Sequence, residues 1–261
     1  MTEPRTTDGQ AAGAATGRTM ILVALAGLTG ISWLYLVDLA ADMGGGMSGA
    51  MGASLTTWSA YRFLLMFVMW WVMMIGMMVP SAGPMILMFA TINRRRRERD
   101  QPFVPTAVFA AGYLAAWGAF SAAATIVQWG LEEAALLSPM MVSTSPVLGG
   151  LLFIAAGVYQ WTPWKHACLR KCRSPLSFLI TRWRDGNRGA FLLGIEHGAY
   201  CLGCCWFIMA LLFVGGVMNL LWVAFIAAVV FVEKLFPAGE RLARASGVLM
   251  VAAGVYMLLH V

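Results

Sequence analysis

The stretch Met66–Phe89, MFVMWWVMMIGMMVPSAGPMILMF, runs for 24 residues without a single charged side chain. That exceeds the ~20 apolar residues a helix needs to cross a hydrocarbon core. Runs of the same kind recur outward from it in both directions, at Met20–Ala40, Trp58–Val79, Phe103–Trp129, Pro146–Trp164, Gly189–Phe213, Val217–Phe236 and Leu242–His260. The second continues past Pro80 and Pro84 to Phe89, where the missing backbone donors predict a kinked or broken helix end. Short alternating segments, which a β-barrel would show, are absent. Only 11% of the 261 residues are charged and 60% are hydrophobic, with a mean hydropathy of +0.75, too little charge for a soluble domain of this length. The expected fold is therefore all-α, a polytopic membrane protein with about seven transmembrane helices over residues 20–261, embedded in the lipid bilayer.

The placement of charge sets the orientation, because Lys and Arg gather in cytoplasmic loops. The second loop reads NRRRRERD (Asn93–Asp100), the fourth carries Lys165, Arg170, Lys171, Arg173, Arg182, Arg184 and Arg188, and the sixth carries Arg241 and Arg244. The first, third and fifth loops carry none, apart from Arg62 just inside the second span. Seven spans with a cytoplasmic N-terminus, in the inner membrane of a bacterium, satisfy every loop. The formal net charge of +6 thus reports topology and not a nucleic-acid partner. Residues 1–19, rich in Ala, Gly, Thr and charge, read as a disordered tail. The first span is full length and lacks a small-residue cleavage site, so it reads as an uncleaved anchor. Arg173–Gly189 mixes apolar residues with arginines and reads as a short amphipathic helix along the inner surface.

Chemistry concentrates in the fifth span, at GIEHGAYCLGCCWFIMALLF (Gly194–Phe213). At 100° per residue, His197, Cys201 and Cys204 fall within about 60° of one another, with Cys205 at the edge. An imidazole and thiols on one helix face, one turn apart, can share an ion. Buried Cys is often simply a small apolar residue, but three beside a His and Glu196 at membrane depth favour a metal or redox site. Gly194 and Gly198 form a small-xxx-small pair that admits a close neighbouring helix. Glu196 lies off the thiol face and needs a partner of its own, or a proton.

The second span offers Met69, Met73 and Met77 on one stripe with Met66, and Met74 and Met78 beside it. Thioether sulfur suits Cu(I), although Met is also a common gap-filler. A helical rise of about 1.5 Å per residue puts Met69 and Met73 near the depth of Cys201. Met43, Met47 and Met51 recur every fourth residue in the glycine-rich first outside loop and read as an outer capture station. On the cytoplasmic side KHACLRKC supplies His166, Cys168 and Cys172, with Lys165, Arg170 and Lys171 expected to lower the thiol pKa values. Near the inner end of the sixth span, Glu233 and Lys234 read as an interfacial pair, snorkelling or bonded to each other.

The segments Met69–Met85, WTPWKHACLRKCRSP (Trp161–Pro175) and GIEHGAYCLGCCW (Gly194–Trp206) resemble a bacterial family of predicted metal-binding integral membrane proteins, a domain of unknown function. The resemblance covers nearly the whole chain after the tail and implies metal binding. The donors themselves favour copper(I), with other soft metals admitted by the same ligands. The expected function is transport of copper or its delivery to membrane cuproenzymes, with a copper chaperone or a cuproenzyme as partner. No Walker motif appears, so ATP-driven pumping is not expected. Two rival readings are a membrane thiol-disulfide oxidoreductase using Cys201, Cys204 and Cys205, and a structural assembly subunit whose Met and Cys only pack.

Overall fold

The computed structural model describes residues 7–44, 58–138 and 141–260, and among them the chain is helical apart from connecting turns and one isolated antiparallel bridge, Leu137 to Ser143. The helices are α1 (Thr7–Gly44), α2 (Ala60–Arg97), α3 (Thr106–Glu133), α4 (Pro146–Tyr159), α5 (Pro163–Arg173), α6 (Pro175–Arg182), α7 (Gly186–Ala210), the single turn α8 (Leu212–Gly215), α9 (Leu220–Leu235) and α10 (Gly239–Leu259). Five stretches are long and apolar enough to cross a membrane: Thr16–Asp42, Ala60–Arg97, Thr106–Glu133, Gly186–Gly215 and Gly239–Leu259. The other two expected spans form helices of 14 and 16 residues, α4 and α9, shorter than ~20.

Local sequence explains where these helices start. Ser59, Ser145, Thr162 and Asn219 each cap the helix that follows, accepting a hydrogen bond from the backbone N–H of Arg62, Leu148, Lys165 and Trp222 respectively. Pro146, Pro163 and Pro175 occupy the first turns of α4, α5 and α6, where no backbone donor is missed. The amphipathic segment expected after Arg173 is present as α6, burying Phe178 and Leu179 and exposing Leu176 and Ile180.

The expected break at Pro80 and Pro84 does not occur: α2 runs unbroken through both prolines to Arg97, 38 residues in all. Hydroxyl groups support the turn that the prolines disturb. Ser81 Oγ donates to the Met78 carbonyl at 2.9 Å and the Tyr113 hydroxyl reaches the same carbonyl at 3.3 Å.

The core is built around α2, α3 and α7. α1 and α3 flank α2, α7 packs along α3, α5 lies on α7, and α9 touches α2. The expected close neighbour of Gly194 is α3: a Cβ at Gly194 would strike the Phe109 carbonyl oxygen, and one at Gly112 would strike that of Phe191. These two glycines set the α3–α7 distance. Gly194→Leu is expected to separate the pair, costing at least the ~1–3 kcal/mol typical of overpacking. A lowered thermal midpoint in detergent checks it, and an unchanged midpoint would mean that another contact sets this distance. A second seam joins α4 to α10, where Gly150 and Gly157 meet Gly254 and Gly247 through backbone carbonyls. The outer faces of α1 and α10 are apolar, with Ile31, Leu34, Leu249, Tyr256 and Leu259 all exposed.

Candidate metal centre

Cys201 lies midway along α7, 2% exposed. Its sulfur is 3.2 Å from the Tyr113 hydroxyl of α3 and accepts a hydrogen bond from Lys234 Nζ of α9 at 2.9 Å. The same ammonium lies 3.6 Å from Met78 Sδ and 3.4 Å from Ser81 Oγ, both on α2. One buried cation is thus held between a thiol and a thioether. Burying such a charge costs several kcal/mol, which close polar and sulfur contacts must offset.

The remaining thiols close around this point. Cys204 and Cys205 turn back and donate to the Cys201 carbonyl oxygen, each at 3.0 Å. From α5, Cys172 lies close enough to Cys201 and Cys204 for their side chains to act on one another. Cys168 packs on the same helix, its sulfur 2.7 Å from where a Cβ at Gly203 would stand. Two cysteine sets that read in the sequence as separate stations, one within the bundle and one in a loop, are therefore neighbours. All five cysteines are free thiols.

The basic flank does not lower the α5 thiols. Burial pushes the Cys168 thiol up, and Cys172 is pushed well up, first by its hydrogen bonds to Cys201 and Cys204. Lys165 cannot act on them as expected, because it turns away to Glu233 with Nζ 2.6 Å from Oε2. Gln160 Nε2 and Ser246 Oγ complete that carboxylate's shell, donating to Oε1 at 2.9 and 3.2 Å. This also corrects the reading of Glu233 and Lys234 as an interfacial pair. Both are buried, at 3% and 5% exposed, and adjacent helical positions point about 100° apart. The last turn of α9 lies inside the protein, where Glu233 faces Lys165 of α5 and Lys234 faces Cys201.

His197 is 3% exposed, with Phe109, Tyr113 and Phe178 stacked or tilted around it at ring distances of 6.1, 5.5 and 5.7 Å. Its Nδ1 has no hydrogen-bond partner, an orphan polar atom one turn from Cys201. Glu196 finds the partner it needed: Arg182 at 3.1 Å and Arg184 at 3.7 Å. His166 stays apart from the thiols. Its Nδ1 is unpartnered, and burial lowers its pKa from the usual imidazole value.

Met69, Met73 and Met77 are fully buried in the core, with Met66, Met74 and Met78. The methionine sulfur beside the Lys234 ammonium is that of Met78. At the far end of the row, Met66 Sδ accepts from Gln128 Nε2 at 3.6 Å. Gln128 in turn bonds Trp70 and Glu132, and Glu132 carries Arg62 at 2.6 Å and the Trp58 indole at 3.0 Å. Met47 and Met51 lie outside the described residues, as does the side chain of Met43. Sequence reasoning passed over Tyr113, Ser81 and Gln128, and gave Lys234 no part in the sulfur site. An amide inside an apolar run was the available signal for Gln128.

Among the described residues, no three His, Cys, Asp or Glu side chains are disposed together as a ready metal-binding set. The reason is visible in the bonds. Cys201 is engaged by Lys234 and Tyr113, while Cys204 and Cys205 are turned onto a carbonyl. The donor types nevertheless fit a soft monovalent cargo: thiols, a thioether and an imidazole with a bare nitrogen.

The model of a family described as PpoB2, copper chaperone, matches residues 67–257, which span α2 through most of α10. No curated protein and no solved structure matches the chain.

Proposed function

Since the chain belongs to the PpoB2 copper chaperone family, we propose that it is an integral membrane protein that binds copper(I) as cargo in the thiol–thioether cluster between α2, α5, α7 and α9. It then passes the ion to the assembly of a membrane cuproenzyme or across the bilayer. The observation that carries this reading is the packing of the α5 thiols on α7, Cys168 against Gly203, beside the Lys234 ammonium held between Cys201 and Met78, which gathers soft donors from three helices near one buried cation.

In this reading each residue has a role that its position supports. Lys234 holds the Cys201 sulfur in the resting protein, and a cation of the same charge takes its place when cargo arrives. A second charge would add a large desolvation cost in so apolar a site, so monovalent copper is favoured over a divalent ion. The Cys204 and Cys205 thiols turn from the Cys201 carbonyl to the cargo, and Cys172 closes it from α5. His197 offers its bare nitrogen. Met66 to Met78 form a neutral sulfur row leading from the Arg62–Glu132 clasp, and Met43, Met47 and Met51 serve as the outer capture station. The arginine-rich end, with Arg94–Arg97, Arg182 and Arg184, faces the cytoplasm. The apolar outer faces of α1 and α10 meet lipid, and α4 and α9 complete seven spans. Burial of Cys201, Cys204 and Cys205, at 2%, 2% and 1% exposed, withdraws them from exchange with other thiols and favours copper over disulfide chemistry.

The test is metal analysis of protein purified under reducing, anaerobic conditions. Copper should accompany the unmodified chain and be lost from Cys201→Ser. Equal copper in both rejects this centre.

A further inference from the structure

Where the start of α1 passes the arginine-rich end of α2, a cavity of about 870 Å³ opens between these helices and residues 103–107. Its lining carries three arginines, Arg18, Arg94 and Arg97, and, among the described residues, no Asp or Glu. The rest of the wall is largely apolar, Ile21, Leu87 and Phe103 among it. The volume lies within the ~300–1,000 Å³ of ordinary small-molecule sites. The wall is firmly held: Asn93 clamps Val104 through both its backbone N–H and its carbonyl, and Thr91 bonds back to Leu87.

The cavity is lined by none of the sulfur cluster's residues, and the copper reading makes no use of it. We propose that it is a binding site for an acidic phospholipid, whose phosphate is taken by the Arg18, Arg94 and Arg97 guanidinium groups while its acyl chains lie along the Ile21, Leu87 and Phe103 wall. This inference rests on the membrane reading above, and on nothing in the copper chemistry. Two features favour a lipid over a free anion. The charge sits at one rim only, above an apolar wall that a bare phosphate would leave in water. The rim also belongs to the end where arginines gather, the end that meets the acidic lipid headgroups of a cytoplasmic leaflet. Arg forks suit phosphate oxygens in pairs. Arg97 is already positioned by the Phe103 ring, 4.8 Å from its guanidinium carbon. Arg94 is restrained by Glu98 of the next turn at 3.6 Å, a partly exposed pair that a phosphate can outcompete.

The experiment uses the full chain in detergent, titrated with phosphatidylglycerol, phosphatidylcholine or inorganic phosphate, and read by native mass spectrometry and thermal midpoint. Phosphatidylglycerol should stay bound and raise the midpoint, and the other two should not. The triple variant R18Q/R94Q/R97Q should weaken retention at least tenfold, and the triple Lys variant should fall between. Equal retention by the Gln variant and the unmodified chain overturns the site, as does equal binding of phosphatidylcholine. A midpoint raised equally by inorganic phosphate overturns the lipid as occupant. Alkaline extraction of the membranes separates the two failures. A chain that stays in the pellet without discriminating lipids fails only this inference, and a chain that is extracted fails the membrane reading as well.

Discussion

Lys165→Met is expected to destabilise the protein by about 3–5 kcal/mol, the cost of stranding a buried charge. Lys165 and Glu233 are 0% and 4% exposed at the side chain, with 2.6 Å between their charged atoms. Without the ammonium, the carboxylate would keep only Gln160 and Ser246, both neutral. Adding Glu233→Gln to the same chain should restore most of the loss, because an amide needs no counter-charge there. The double-mutant cycle, measured by thermal unfolding in one detergent, should therefore show strong coupling. Additive effects would mean that the two residues are not a pair in the folded protein. Copper should follow stability in this series, since the pair anchors α5 and with it Cys172.

The second large effect separates one shared centre from a chain of independent stations. Cys172→Ala should weaken copper retention about as far as Cys201→Ala does, by at least the ~10–100-fold typical of losing a supporting contact at a metal site. The double variant should add little, because residues that serve one ion are not additive. Competition against a Cu(I) chelator without oxygen measures all three. If instead each variant removes its own fraction of copper and the losses sum, the cysteines of α5 and α7 bind separately.

Helix content and the sulfur-bearing faces could be read from the chain because they depend on local pattern. The apolar runs predicted helices that α1, α2, α3, α7 and α10 realise, and the four-residue spacing of Gly194 and Gly198 announced a close neighbour. What escaped depends on three-dimensional approach. No periodicity in α9 reveals which helices its last turn meets, and that packing is what brings Lys234 to Cys201 and Glu233 to Lys165. The α5 cysteines read as loop residues because nothing in KHACLRKC shows that this helix folds back along α7. Pro80 and Pro84 read as a kink or break because proline removes backbone donors, and nothing local in the chain shows that the helix continues through both to Arg97.

The glycine seam between α4 and α10 has a dynamic consequence. These helices touch each other along their length and the rest of the protein at far fewer places, so they form one cooperative unit of local opening. Their amides should exchange with solvent hydrogen together and sooner than those of α3 and α7. Opening of that unit also frees Ser246 of α10 and Gln160, just past the end of α4, from Glu233. A breathing motion at the rim of the bundle is thereby wired to the carboxylate that stands next in sequence to Lys234, giving the sulfur cluster a moving part that contains no sulfur.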